Sequence, residues 1–163
     1  MRYFPSPLSK EASDDLARTC QALIGERGWG LWAVELPEVA PFIGFVGLHV
    51  PSAELPCSPC VEIGWRLAKA YWGQGYAPEA ARAALDYAFT QLDLATVVSF
   101  TAVSNKPSEA VMQKIGMRNT QRNFMHPLVA PSDPLCEHLL YQIDRDDWLA
   151  NSETNFALQY IRT

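Results

Sequence analysis

A chain of 163 residues, 48% of them hydrophobic, can bury a full core and is expected to form one domain over 1–163. Its net charge of −5 and the lack of any long basic stretch argue against nucleic acid as a partner, while permitting a basic acceptor. No apolar run approaches a membrane span and the N-terminus lacks the charged-then-apolar layout of a secretion signal, so no membrane partner is expected and the cytoplasm is the default compartment.

In chain order, Ser9 can cap a helix that runs to about Arg27, with Leu16, Cys20, Leu23 and Ile24 on one face and a stop near Gly25 or Gly28. Two strands follow, about Gly30 to Leu36 and Phe42 to Val50, joined by a proline-containing turn and expected to pair antiparallel. Pro51 to Pro59 holds three prolines and reads as an irregular connection, either a plain surface loop or a substrate loop. Cys57 and Cys60 in this stretch make half of a zinc-binding pattern, but no second CxxC or HxxxH completes it, and Cys20 and Cys136 stand alone. No metal is expected, and the cysteines read as free thiols of a reducing compartment.

Val61 to Leu92 is the chemical centre of the chain. A short apolar strand, Val61 to Leu67, leads into Trp72-Gly73-Gln74-Gly75-Tyr76-Ala77 and then into an amphipathic helix with Ala81, Leu85, Ala88, Phe89 and Leu92 at core spacing. Two glycines clear side chains from the turn, so that successive N–H groups can point into one anion-binding concavity at the helix's positive end. Pro78 and Glu79 suit the helix start. Two readings of the turn stand side by side: a diphosphate cradle, or a tight strand-to-helix connection. There is no GxxxxGK[ST], and the third glycine of the dinucleotide fingerprint is missing.

Thr96 to Val103 reads as the parallel strand after the crossover helix. Pro107 opens another helix and Gly116 closes it, with Asn105 and Ser108 at capping positions. Met117 to Met125 and His138 to Asp144 read as a final antiparallel pair, and Asn151 to Thr163 as a tail. The sum is a mixed α/β sheet flanked by helices, in which divergence of the two parallel strands would open a slot for a cofactor.

The run W-G-Q-G-Y-A-P-E-A-A, entered from E-I-G-W and followed by S-N-K-P-S-E-A-V-M-Q-K-I-G-M, resembles the GNAT superfamily of acetyl-CoA-dependent N-acetyltransferases, and within it the RimJ/RimL-like branch. The resemblance extends back to R-Y-F-P-S-P-L-S and forward to M-H-P and H-L-L-Y. It implies a GNAT-like sheet whose splayed parallel strands hold acetyl-CoA as co-substrate. It places the pyrophosphate on the amides of Gly73, Gln74, Gly75, Tyr76 and Ala77, the pantetheine arm near Leu67, and Asn105 and Ser108 facing that arm. The oxyanion would be met by a backbone N–H of the central strand. The first strand and helix usual in the family are not read at the start of the chain: either that start is truncated or misassigned, or the sheet edge is closed in some other way, a partner chain in a homodimer being one.

Two positions depart from the family pattern. Trp72 stands where many members have Arg or Gln, and reads as a core residue or a ligand contact. Met112 stands where many have a tyrosine that protonates the leaving thiolate, so the proton must come from solvent or from Ser108, unless the thiolate leaves unprotonated.

Glu62, just upstream of the turn, is the candidate base through a water, set against its reading as an ordinary exposed strand-end carboxylate; His49 and His126 are the runners-up. An α-amine costs only about 1.4 kcal/mol to deprotonate at pH 7, against roughly 4.6 for a lysine, so weak base machinery favours the α-amine. The implied enzyme transfers acetyl to a primary amine by direct attack in a ternary complex, the acceptor being a protein N-terminus or a small amine. A catalytically silent acyl-CoA-binding module and a nucleotide-binding regulator are the competing readings.

Overall fold

The computed structural model describes Tyr3 and residues 7–151. Helix α1, Lys10–Arg27, starts where the Ser9 hydroxyl accepts the Ala12 N–H at 3.1 Å. Leu16, Cys20, Leu23 and Ile24 form its half-buried stripe, and none of its residues is fully buried, so the helix covers the body without entering the core.

The strands are β1 Leu31–Leu36, β2 Ala40–His49, β3 Glu62–Leu67, β4 Thr96–Ala102, β5 Arg118–Asn119, β6 Phe124–Met125 and β7 Glu137–Asp144. They form one sheet in the order β1-β2-β3-β4-β7-β5, with β6 also on β7. Every pairing is antiparallel except β3 with β4. Helix α2, Tyr76–Thr90, makes the crossover between those two strands, and α3, Lys106–Lys114, follows β4. This is the mixed, helix-flanked sheet that the sequence implies. Among the described residues no strand precedes α1, and β1 borders one edge of the sheet.

Alternation along the strands sorts the apolar residues onto two faces. Ile63, Leu67 and Val97 share a core with Ala81, Leu85, Ala88 and Phe89 of α2 and Met112 of α3. Val98 points the other way, into a smaller cluster with Leu55, Phe124 and Leu140, against which Cys57, Cys60 and Phe100 pack. The connection before β3 therefore covers the face of the sheet opposite the helices.

The parallel pair is splayed. β3 matches β2 over six residues and β4 matches β7 over seven, whereas β3 and β4 meet only at Glu62 and Val98. Beyond that point the edge of β3 that faces β4 has backbone groups free of strand pairing, which is where a ligand can add its own hydrogen bonds. Gly44 lets β2 close on the far end of β3, since a Cβ there would sit 2.1 Å from the Arg66 carbonyl oxygen.

Two expectations change at the C-terminal end. The strand read over Met117 to Met125 is two short strands, and the register on β7 steps by two residues between Asn119–Tyr141 and Phe124–His138. Local hydrogen bonds cause the break: Gln121, at φ 59°, donates its N–H to the Asn119 side chain, and Arg122 donates to the Thr120 hydroxyl. Residues 145–151 are helical, which the sequence reading did not anticipate, and Trp148 packs there near Phe89. The tail read from Asn151 lies, beyond that residue, outside the described residues. Among those described, no helix is long and apolar enough to cross a membrane.

Candidate active site

The end of β3 opens into a cavity of about 720 Å³ whose wall includes Gly44, Trp65, Leu67, Gly73, Gly75, Tyr76, Ala77, Asn105 and Ser108. Of the residues that the resemblance assigns to the cofactor, Leu67, Gly73, Gly75, Tyr76, Ala77, Asn105 and Ser108 line this one space and Gln74 does not. Leu67 ends the strand, a single turn of 3₁₀ helix over Lys69–Tyr71 carries the chain outward, and Gly73 and Gly75 return it to the start of α2.

Backbone geometry explains the glycines. Gly73 and Gly75 have φ of 74° and 93°, in the left-handed region that a side chain disfavours, and nothing lies within 4 Å of where a Cβ would stand on either. The protein does not crowd these positions; the space above them is open. Among the described residues the amides of Gly73, Gln74, Gly75, Tyr76 and Ala77 find no backbone acceptor, the first return bond being Glu79 N–H to the Gly75 carbonyl at 3.1 Å. Unpaired N–H groups at a helix N-terminus, beside an open cavity, form a site for an anion.

Gln74 contributes its amide only. Its side chain folds back onto the Ala70 carbonyl at 2.9 Å, away from the cavity wall. Of the two readings of Trp72, core residue and ligand contact, its 41% exposure rules out the first. Its indole N–H donates to the Leu67 carbonyl at 2.7 Å, tying the loop to the strand it leaves while the ring forms part of the cavity wall.

Asn105 caps α3, its side-chain oxygen accepting the Ser108 N–H at 3.4 Å, and is also buried. The capping role and a place on the cavity wall coexist in one residue. Its amide nitrogen donates to Thr101 at 2.8 Å and to the Ser108 hydroxyl at 3.0 Å. Trp65 donates to the same hydroxyl at 3.3 Å. With both acceptor sites of Ser108 Oγ engaged, its own proton is left to be donated elsewhere. Met112 is fully buried in the core and forms no part of the cavity wall.

Glu62 lies at the other end of β3, about 17 Å from Leu67 at the usual rise per residue. It does not line the cavity, and it is no exposed carboxylate either: only 7% of its surface is accessible. It sits at the one contact between β3 and β4, where the Phe100 amide hydrogen-bonds it, and directly across from His49, whose Nε2 is 2.8 Å from Glu62 Oε2. Burial pushes the Glu62 pKa up, against the opposite pull of His49 and the Phe100 amide. Burial opposes charge on His49 too, but the hydrogen bond and charge of Glu62, with help from Val50, outweigh it and leave the imidazole above its ordinary value. The two runners-up thus separate. His49 is the partner of Glu62, while His126 stacks beside His138 and Phe100 with its pKa lowered by burial and by His138.

The sequence reading passed over Trp65 and Thr101, which hold Ser108 and Asn105 in place. Alternation along β3 was the available signal for Trp65, since it must share the face of Ile63 and Leu67.

Comparison with known proteins bears on the family and the fold. Residues 1–118 match the family model described as "Acetyltransferase (GNAT) domain". The chain is 37% identical over 107 residues to the Uncharacterized protein YkkB of Bacillus subtilis, covering 63% of this chain and 61% of that protein. It is 37% identical over 127 residues to the FsC-acetyl coenzyme A-N(2)-transacetylase of Aspergillus fumigatus, covering 75% of this chain and 53% of that one. The chain thus spans between half and two thirds of the length of these curated relatives. A solved GNAT-family acetyltransferase from Bacillus anthracis superposes with a TM-score of 0.71 at 25% identity, covering 90% of this chain and 81% of that one.

Proposed function

We propose that this chain, which belongs to the GNAT acetyltransferase family, is an acetyl-CoA-dependent N-acetyltransferase whose acceptor is a primary amine, with a protein or peptide N-terminal α-amine as the favoured class. The observation that carries the reading is the pairing of two features on one strand. Unpaired amides over Gly73 to Ala77 stand at the end of β3, and a buried carboxylate, Glu62, stands where β3 begins to part from β4.

In this reading the amides of Gly73, Gln74, Gly75, Tyr76 and Ala77 hold the diphosphate of CoA, and the pantetheine arm runs past Leu67, Asn105 and Ser108 along the free edge of β3. The thioester then reaches the splay. The neutral amine attacks the carbonyl carbon directly, a backbone N–H of β3 meets the developing oxyanion, and the ammonium proton passes through water to Glu62. As the C–S bond breaks, the Ser108 hydroxyl donates a hydrogen bond to the departing sulfur.

The modest base favours the α-amine, because it needs only about 1.4 kcal/mol to lose its proton at pH 7 against roughly 4.6 for a lysine. The name of the Aspergillus relative, a transacetylase, supports transfer to nitrogen. The RimJ/RimL-like resemblance supports the peptide acceptor.

The test is thiol release from acetyl-CoA by purified protein across a panel of short peptides, free amino acids, polyamines and lysine derivatives. Acceptor-dependent release, fastest with α-amines, is expected. CoA binding without release from any acceptor would instead make the chain a silent acyl-CoA-binding module.

A further inference from the structure

Cys57 and Cys60 have no part in the chemistry above, yet the fold brings their sulfurs to 3.5 Å. We propose that they form a reversible dithiol–disulfide site, oxidised by low-molecular-weight disulfides, on the connection that leads into β3.

A disulfide needs an S–S distance of about 2.05 Å, so closure asks for an approach of roughly 1.5 Å. The local structure allows it. A turn already sets the spacing, with the Ser58 N–H on the Leu55 carbonyl and the Leu55 N–H on the Ser58 hydroxyl, each at 2.9 Å. The residues between β2 and β3 belong to no helix or strand, so the approach moves a turn and leaves the sheet pairing alone. Both side chains also pack on the Leu55, Val98, Phe124 and Leu140 cluster, which holds them on the same side of that turn. The other two cysteines lack such a partner: Cys20 lies on α1, and Cys136 is buried with its thiol toward the Val129 carbonyl.

The exchange balances as two steps. The Cys57 thiolate attacks the small disulfide, forming a mixed disulfide and expelling one small thiolate. Cys60 then gives up its proton and attacks the Cys57 sulfur, expelling the second. Two protein thiols are oxidised and one small disulfide is reduced to two thiols. Burial, together with the neighbouring Cys57 and, less strongly, Glu62, pushes the Cys60 thiol up to about 12, so its deprotonation limits the second step, and its place 3.5 Å from the Cys57 sulfur offsets that by making the attack intramolecular.

The site lies close to the chemistry. Cys60 is two residues before Glu62 and near enough for the carboxylate's charge to act on it. Drawing it toward Cys57 removes a thiol from beside the Glu62 carboxylate while the His49–Glu62 strand pairing stays in place.

The test equilibrates the full chain in mixtures of reduced and oxidised glutathione, quenches with acid and an alkylating agent, and maps the cysteines by mass. One two-electron transition, ending in a Cys57–Cys60 disulfide that reduction reverses, is expected; Cys57→Ser should abolish it, and Cys20→Ser and Cys136→Ser should leave it unchanged. Free Cys57 and Cys60 throughout, a stable glutathione adduct on either, or a bridge through Cys20 would overturn the proposal. A second arm, which rests on the acetyltransferase reading, compares acceptor KM in the reduced and oxidised forms. A severalfold rise with acetyl-CoA KM unchanged is expected, and equal acceptor KM would overturn the coupling to Glu62 while the mapped disulfide stood on its own.

Discussion

His49 Nε2 lies 2.8 Å from Glu62 Oε2, across the non-helical face of the β2–β3 pair, and Glu62 is also the residue at which β3 touches β4. A buried carboxylate would ordinarily take up a proton and be lost as a base. The imidazole opposite pulls toward the ionised carboxylate without cancelling the rise that burial causes, and holds its own proton to higher pH than a free histidine.

The pH profile of acetyl transfer follows from that proton. The pair can accept a proton from the amine only after releasing its own, so kcat/KM, corrected for the fraction of neutral α-amine, should rise with pH and level off above the raised His49 value, itself above the ordinary 6.5 or so. Glu62→Gln should lower kcat at least about tenfold, within the range usual for a general base, and remove that limb. His49→Gln should shift the limb, because it removes the imidazole that holds the proton and, with it, the hydrogen bond and charge that lower the Glu62 pKa. A Glu62→Gln profile that keeps its shape would reduce Glu62 to a structural carboxylate.

Stability carries the same signature with the sign fixed by the direction of the shifts. Both pKa values are raised on folding, so the folded chain binds more protons than the unfolded one between the ordinary Glu value, about 4.3, and the raised His49 value. The pair's contribution is therefore fully present on the acid side and declines as pH rises through that window. Denaturant unfolding at a series of pH values should show this slope in wild type and a flatter line in the Glu62→Gln, His49→Gln double variant. A pair contribution that grows with rising pH would contradict the assignment of both shifts.

Gly75→Ala tests the cradle without adding charge. At φ 93° a side chain costs roughly 1–2 kcal/mol, worth a fall in Tm of roughly 2–8 °C in a chain of this size. No protein atom lies near the new methyl, so any further effect falls on the ligand. Isothermal titration with CoA should show clearly weaker binding for Gly75→Ala and a larger loss for Gly75→Glu, which sets a carboxylate against the diphosphate. Affinity equal to wild type in both would remove the turn from the site.

Ser108→Ala should separate positioning from chemistry. Removing the hydroxyl leaves the Trp65 indole N–H without its acceptor and should cost about 1–3 kcal/mol of stability. CoA affinity should change little, while kcat falls at all pH values. A fall only in CoA affinity would make Ser108 a binding residue with no role at the sulfur.

How far the sequence reveals all this depends on the kind of interaction. The turn at Gly73 and Gly75 is legible because its chemistry is backbone chemistry, and glycine spacing reports backbone directly. The strand alternation that separates Ile63 and Leu67 from Glu62 is legible for the same reason. The environment of Glu62 is not, since its burial comes from β4, from His49 on a strand that lies thirteen positions earlier, and from the connection holding Cys60. Trp72 misleads because a tryptophan usually marks a core, whereas this one uses its N–H to fasten a loop. The break in the strand after Asn119 depends on side-chain hydrogen bonds to the backbone that alternation cannot report.

The proposed activity depends above all on binding of the CoA diphosphate by the free amides after β3. A titration of the isotope-labelled protein with CoA, followed by amide NMR, tests it most directly. The resonances of Gly73, Gln74, Gly75, Tyr76 and Ala77 should move together and saturate with the binding curve, in the sense of new hydrogen bonds to oxygen. Saturating CoA that leaves those five amides where they were, while shifting another part of the chain, would contradict it.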